Sequence, residues 1–411
     1  MRAPLEHEWN RPVRTAPIRS FRELVTGGTD LTAPLVTMFS GGLDSTYLLY
    51  RLKEMGATDV HALTVDLGEG ESQEAKQEIC QRLGVKLHVQ AGTRQFVDEF
   101  VRPAISAQAV YLGTHPISSS LSRPLIARLA VNLAHRLGGE TVLHTANRSQ
   151  NTLRRLNGAL ELLGFRGRYG SPYDLEPVDR ARKTKELTAA GLTLMSERTV
   201  SSDSNLWCRE FESGALDDPE DFAVPEHLYR WTRADGAPAE ETVEIGFLGG
   251  VPTSVDGTPL ALPEMIGALN TRVGRHGLGR YSGLEHLGDG VKVLEAREMP
   301  AAWLLLRSYR QLESAVLRYE TIREKTHLEQ LWVREAVEGR WYGELRRCAQ
   351  AFVDTCAVEV TGTVRWRLGG GRAGVESIVA RDPLYLRDRD AWECASVAHE
   401  LAASASATGS A

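Results

Sequence analysis

Leu35-Val36-Thr37-Met38-Phe39-Ser40-Gly41-Gly42-Leu43-Asp44-Ser45-Thr46 is the stretch that decides the fold. Its first five residues form an apolar run long enough for one buried strand of a sheet covered on both faces. Gly41 and Gly42 then admit backbone dihedrals and close approaches denied to other residues, so successive N–H groups can converge on phosphate oxygens. Ser40, Ser45 and Thr46 add hydroxyl donors, and Tyr47 to Lys53 has the apolar spacing of a helix packed on a sheet, with its N-terminus toward the anion. An unscreened Asp44 would repel such a ligand, so its carboxylate is expected to hold the turn or a magnesium-neutralised pyrophosphate. No lysine follows the glycines as in phosphate-loop NTPases, and the dinucleotide-binding glycine spacing is absent. The chemistry indicated is that of ATP; the competing reading is a glycine turn with no chemical role.

Further segments extend the pattern. Val60 to Leu67 reads as a second strand ending in Gly68-Glu69-Gly70, Ser72 to Leu83 as a helix and Lys86 to Val89 as a third strand. Pro124 to Leu137 predicts another helix and Thr141 to His144 another strand. This alternation places the chain in the α/β class, with a parallel sheet whose C-terminal edge gathers Ser40 to Thr46, Asp66 to Glu69 and His144 to Thr152. After about Pro177 a charged helix, Asp179 to Ala190, leads to polar residues 201–218 and a strand at Thr242 to Phe247, the start of a β-rich second domain. A helix from Leu260 to Val273 ends in Gly274-Arg275-His276-Gly277-Leu278-Gly279-Arg280, read as a tight cationic loop near an anion or as a structural turn. Trp303 to Lys325 predicts one long helix, Val358 to Leu368 and Val375 to Ala380 paired strands, and Asp390 to Ala403 a last helix.

A chain of 411 residues with 42% hydrophobic and 25% charged residues is long enough for two or more domains. Cys80, Cys208, Cys348, Cys356 and Cys394 form no CxxC pair, which points to a reducing, cytoplasmic compartment and away from a disulfide framework or cysteine-rich zinc site. The net charge of -6 implies no general affinity for nucleic acid. The first thirty residues carry Arg11, Arg14, Arg19 and Arg22 without a hydrophobic signal and read as a surface extension or partner arm. No apolar span is long enough to cross a membrane.

Taken together, Ser40 to Thr46, Val65-Asp66-Leu67-Gly68, Leu121-Ser122-Arg123-Pro124, Asp203-Ser204-Asn205-Leu206-Trp207 and Gly274 to Arg280 resemble the argininosuccinate synthase family of N-type ATP pyrophosphatases. The resemblance runs from about Val36 to Tyr385, with the last two hydroxyl residues of the loop interchanged; Ser-Gly-Gly-x-Asp alone would also fit tRNA-modifying and amide-forming relatives. It implies an adenine nucleotide alpha hydrolase-like parallel-sheet domain at 31–195 behind an extension at 1–30, an α+β substrate-binding and multimerisation domain at 196–385, and an oligomerisation helix and tail at 386–411. It implies ATP and Mg2+, a homotetramer, and a reaction in which ATP activates citrulline's ureido oxygen, pyrophosphate leaves and the aspartate amine displaces AMP. On that basis Ser40 to Thr46, Asp66, Leu67, Arg123 and Thr145 would bind nucleotide. Asp44 would carry the metal, and Asp44, Arg123, Arg275 and His276 would be catalytic.

The substrate positions depart from the family. Where it has Gly-x-Thr-Gly-Lys-Gly-Asn-Asp-Gln-Val-Arg, this chain has Thr145 to Arg155: Asn151 and Arg155 are compatible with aspartate, Thr152 replaces the aspartate residue and Asn147 the threonine. A neutral hydroxyl cannot give an α-ammonium group the bond that a carboxylate gives. A tyrosine-proline-leucine-glycine-threonine run becomes His115-Pro116-Ile117-Ser118-Ser119-Ser120, a serine becomes Glu210, a glutamate becomes Thr271, and near Arg297-Glu298-Met299-Pro300 the family tyrosine has no clear equivalent. His115, Ser119, Ser120, Asn147, Asn151, Thr152, Arg155, Ser201, Glu210 and Thr271 are therefore the candidate substrate contacts, although each has a bland structural reading as cap, surface residue or local ion pair. The expected function is an ATP-dependent carbon–nitrogen ligase of specialised metabolism joining a ureido, amide or carboxylate substrate to an amine. The alternatives are a true citrulline–aspartate enzyme and a noncatalytic nucleotide- or metabolite-binding homologue.

Overall fold

The structure, a computed structural model, describes residues 16–70, 72–192, 201–233, 236, 239–287 and 290–408. Arg11, Arg14, the expected boundary at 195/196 and residues 409–411 lie outside them. The first half runs α1 (Phe21–Thr26), β1 (Leu35–Met38), α2 (Leu43–Glu54), β2 (Val60–Asp66), α3 (Glu74–Leu83) and β3 (Lys86–Ala91). It continues through α4 (Thr93–Phe96), a π turn (Val97–Val101) and α5 (Arg102–Ser106) to a hairpin of β4 (Val110–Tyr111) and β5 (His115–Pro116). Then come α6 (Ser119–Leu137), β6 (Thr141–Leu143), α7 (Thr152–Leu162), β7 (Arg168–Gly170) and α8 (Arg180–Ala189).

The five strands β3-β2-β1-β6-β7 form one sheet, parallel at every pairing. Side chains alternate across it: Leu35 packs with Leu48, Leu52, Val60 and Ile79 on one side, Val36 and Met38 with Ala130, Val142 and Leu160 on the other. Burial of both faces is what the continuous apolar strand reading requires. The chain leaves β1 toward β2 on one side and returns through β6 on the other, so the loops after β1 and β6 flank the crevice where α/β sheets bind ligands.

Two expectations fail here. The N-terminal stretch is not all surface arm: Ile18 bridges Gly170 beside β7, and Ile18, Phe21 and Leu24, spaced three apart, are buried against the sheet. Likewise α6 starts at Ser119 and carries Pro124 inside it. The proline's missing N–H leaves one helical bond unmade, while Ser122 Oγ donates to Ser119 O (3.3 Å) and Tyr342 Oη to Pro124 O (2.9 Å) around it.

The second half contains two antiparallel sheets. It runs β8 (Ser201–Ser204), β9 (Arg209–Glu212), β10 (Glu241–Leu248), β11 (Val251–Val255), β12 (Thr258–Pro259), α9 (Leu262–Gly274), β13 (Arg280–His286) and β14 (Lys292–Glu298). After these come α10 (Pro300–Val316), α11 (Tyr319–Val337), α12 (Glu344–Ala357), β15 (Gly362–Gly369), β16 (Arg372–Ala380) and α13 (Arg389–Thr408). One sheet, β12-β11-β10-β15-β16, packs with α9, α10, α11 and α12 over the largest core. The other, β13-β14-β9-β8, has an unusual polarity. Its register puts Asp203, Glu210, Arg297 and Tyr281 in one row and Ser201, Glu212, Glu295 and Gly283 in the next, with Glu285 opposite Val293 beyond. The other face is apolar, Phe211, Leu294 and Ala296 packing on Leu216 and Tyr229.

The long helix expected from Trp303 to Lys325 is two helices, because Leu317 and Arg318 are extended (ψ 145 and 150°) and turn the chain back. The reversal brings Lys325, fully buried, to Glu313 Oε1 (2.7 Å) and Glu329 Oε1 (2.5 Å), with a third bond to Ser106 O (2.7 Å). Arg310 closes the network on both carboxylates at 2.6 and 2.7 Å. Lys325→Met leaves one cation for two buried carboxylates and is expected to cost about 3–5 kcal/mol of folding free energy, measured by urea titration.

Candidate active site

The loop after β1 has the predicted shape. Gly41 takes φ +77°, in the left-handed region, and a Cβ there would lie 2.8 Å from Cγ of Lys76, whose stem crosses the loop from α3. Ser40 Oγ accepts from Gly42 N (3.3 Å), Ser45 Oγ donates to Gly42 O (3.1 Å), and the two hydroxyls lie 3.2 Å apart. Leu43 begins α2, and Thr46 in its first turn is fully buried, its hydroxyl without a hydrogen-bond partner among the described residues. The first-turn N–H groups of α2 open toward the same crevice, an arrangement suited to phosphate. Asp44 Oδ1 is held at 2.7 Å by Lys183 Nζ from α8, and Tyr173 Oη donates to the Asp44 carbonyl (2.9 Å).

At the end of β2, Asp66 Oδ1 accepts from Gly68 N (2.9 Å), the Leu67 carbonyl accepts from Leu206 N (2.9 Å), and Gly68 (φ +87°) lies against the Leu206 side chain. This edge is thereby tied to the second half of the chain. Arg123, one turn into α6, makes a two-pronged ion pair with Asp203 on β8. Thr145 follows β6, half-buried, and Asn147 Oδ1 caps its own loop by accepting from Ser149 N (3.0 Å) and Oγ (2.6 Å). Thr152 is the first residue of α7.

The charged face of the sheet β13-β14-β9-β8 is turned inward, onto the carboxyl ends of the parallel sheet. Glu285 is its hub. Asn151 Nδ2 donates to Glu285 Oε1 (3.1 Å), Arg155 Nη2 stands 3.6 Å from the same oxygen, and His115 Nε2 is 3.4 Å from Oε2. Arg155 also donates to Ser119 Oγ (2.7 Å) and to Val337 O (3.2 Å), while Asn151 reaches His286 O (2.8 Å). Arg297 pairs with Glu210 (2.5 Å) and Glu295 and lies 3.8 Å from Glu285. Ser120 is buried beside this group in the first turn of α6, and Ser201 is exposed opposite Glu212.

Thus His115, Ser119, Asn151, Arg155 and Glu210, five of the candidate substrate contacts, lie around Glu285 and Arg297. Other candidates are engaged elsewhere: Asn147 in its own loop, and Thr271, Arg275 and His276 as follows. Thr271 is exposed and donates to Gly267 O (3.4 Å) within its own helix. Arg275 and His276 are bound to Glu241 at the start of β10, at 2.8 and 2.7 Å, with Arg272 on the same carboxylate. Both side chains are thereby tied to that strand. Sequence reading missed Glu285, Arg297, Glu295, Glu212, Lys183 and Lys76. Strands that alternate charged and apolar residues, as in Arg209-Glu210-Phe211-Glu212, carried the signal for the sheet residues; nothing local marks either lysine.

One guanidinium cannot offset three buried carboxylates. Burial pushes the Glu210 carboxyl up to about 7 even with Arg297 pulling it down, and burial raises Glu212 and Glu295 too. At Glu285 burial acts the same way, but the His115 hydrogen bond and the charges of Arg297 and Arg155 overcome it and hold the group down at about 2. Burial, then the charge of Arg297, lowers His115 from its ordinary value. Buried His144, bonded to Asn157 (2.9 Å), is lowered to about 4 by burial.

Residues 34–162 match the family model described as the arginosuccinate synthase N-terminal HUP domain, and residues 200–404 that of the arginosuccinate synthase C-terminal domain. Among curated proteins the chain is similar to the argininosuccinate synthase of Rubrobacter xylanophilus, 34% identical over 373 residues that cover 90% of this chain and 91% of that one. The enzymes of the same name from Methanocaldococcus jannaschii (34% over 354 residues, 85% and 88% covered) and Symbiobacterium thermophilum (36% over 349 residues, 82% and 86% covered) are comparably similar.

A carboxyl raised in the folded state keeps a proton that the unfolded chain has released, so its contribution to stability falls as pH rises from the ordinary 4.5 through about 7. The thermal midpoint of the wild type is expected to fall relative to that of Glu210→Gln across that window, as scanning calorimetry of the two at stepped pH would show.

Proposed function

The chain belongs to the argininosuccinate synthase family, and from that premise we propose that it joins an acceptor other than citrulline to an amine other than aspartate. Membership makes it an ATP-dependent, AMP-forming carbon–nitrogen ligase acting on small molecules: an acceptor oxygen is adenylated with loss of diphosphate, and an amine then displaces AMP.

The residues fit nucleotide chemistry. Ser40 to Thr46 and the N-terminus of α2 would hold the departing diphosphate, with Asp66, Leu67, Thr145 and Arg123 framing the rest of ATP. Charge building on the leaving group is met by donors already in place, which is the economical way to stabilise such a transition state. Mg2+ would supply further charge neutralisation at the phosphates; Asp44 is the carboxylate available to it in this loop, and most of its ligands would be phosphate and water oxygens.

The observation that carries the substrate proposal is the position of Glu285. Asn151 and Arg155, the two residues compatible with an aspartate substrate, both face its carboxylate. An incoming carboxylate would have to displace Glu285 and leave it buried and poorly paired, a cost of about 3–5 kcal/mol against the roughly 1.5–3 kcal/mol that a charged hydrogen bond returns. The balance favours an amine without a carboxylate at that place.

We also assign α13 to assembly, as a homotetramer, because Trp392, Val397 and Leu401 on it are more than half exposed. Sedimentation of a chain truncated before Arg389 is expected to show a smaller oligomer than the full chain.

The main test follows Mg·ATP-dependent diphosphate and AMP release across citrulline, other ureido acids, amides, carboxylates and amines, with mass spectrometry of the product. Turnover with a pair other than citrulline and aspartate is expected; efficient citrulline–aspartate turnover would refute the proposal, and ATP binding with no turnover would favour the noncatalytic homologue. Gly41→Ala should lower diphosphate release by about 100-fold or more, since its Cβ meets Lys76 and the loop loses its left-handed turn. Glu285→Ala should free Asn151 and Arg155 and produce measurable aspartate binding where the wild type has none.

A further inference from the structure

Asp44 is a carboxylate at the mouth of an anion site, and the structure supplies its counter-ion from outside every motif. Lys183 lies 139 residues away in sequence, on α8, where it and Leu187 are the buried residues. Leu187 anchors the helix in the core of the parallel sheet. Lys183, one turn earlier, is thereby carried to the loop after β1 with its side chain only 9% exposed. Its ammonium sits 2.7 Å from Asp44 Oδ1 and 4.9 Å from the centre of the Tyr173 ring, and Tyr173 itself holds the Asp44 carbonyl. Asp44 is therefore gripped by side chain and main chain from one direction, while more than a third of its side chain remains exposed.

We propose that Lys183 is a positioning residue that makes this loop able to accept a polyanion, by neutralising Asp44 before any metal arrives. The proposal rests on the reading of Ser40 to Thr46 as a diphosphate site. The physical reason is simple. A diphosphate within a few ångströms of Asp44 meets a repulsion that N–H dipoles and one helix terminus offset only in part, and a buried ammonium on Asp44 removes the repulsion at its source. Lys183 acts through Asp44, not by touching phosphate.

The test separates neutralisation from direct contact. Inorganic pyrophosphate is titrated calorimetrically, with a chelator present, into the full chain and into Lys183→Met, Lys183→Arg, Asp44→Asn and the Lys183→Met/Asp44→Asn double variant; Lys183→Gln stands in if the Met variant melts early. Binding is expected to weaken about tenfold or more in Lys183→Met, to stay within about threefold of wild type in Lys183→Arg, and to recover in the double variant, where no lone carboxylate is left. Unchanged affinity in Lys183→Met overturns the proposal, and so does a double variant as weak as Lys183→Met, which would mean that the ammonium contacts phosphate directly. A wild type that binds Mg·ATP but no metal-free pyrophosphate also overturns it while sparing the nucleotide site. A wild type that binds neither overturns the reading of the loop, and this proposal with it.

Discussion

A charged sheet face buried against the end of a parallel sheet is the constraint on which the rest of the structure depends. An antiparallel sheet with one apolar and one polar face ordinarily turns the polar face to water. Here Glu210, Glu285, Arg297 and their neighbours are shut in by His115, Ser119, Asn151 and Arg155 from the first half of the chain. Burying this many ionisable groups is costly, and replacing them by packed apolar side chains would in general stabilise the protein. They are held instead as a network of ion pairs and hydrogen bonds between the two halves of the chain.

Charge is divided unevenly within this cluster. Arg297 is shared among Glu210, Glu295 and Glu285, so some carboxyls in the group hold protons while Glu285 stays ionised. Glu285 supplies from within the chain the carboxylate that Asn151 and Arg155 are suited to bind. At the other end of the cleft Lys183 supplies from within the chain the cation that Asp44 needs. Each subsite is thus preset by an internal counter-ion, which leaves a ligand to compete with the protein's own charges.

The likeness to argininosuccinate synthases covers both halves of the chain, at about a third identity. That level leaves room for the reaction to be shared while the pocket is rebuilt. The glycine loop, the Asp66–Gly68 edge and Arg123 sit around one crevice, whereas the Gly274 to Arg280 segment serves the sheet β12-β11-β10-β15-β16 through Glu241. In that segment Gly274 and Gly279 press against the Trp231 and Pro300 backbones, where a Cβ would not fit.

By itself the sequence determined the parallel sheet, the glycine turn and the first strand–helix pairs, because each depends on spacing within a dozen residues: apolar runs, glycines at Gly41 and Gly42, a helix start at Leu43; the family followed from several short motifs spread along the chain. It also named His115, Ser119, Asn151, Arg155 and Glu210, through positions aligned with a known pattern. It did not determine that Ile18 and Phe21 enter the core, that the Trp303 to Lys325 segment folds back on itself, that Arg275 and His276 face Glu241, or that Glu285 and Lys183 lie at the site. Those are decided by the tertiary structure, since ion pairs such as Asp44–Lys183 and Arg155–Glu285 join residues more than a hundred positions apart. Local periodicity tells which face of an element is polar; only the packing of whole sheets tells what that face meets.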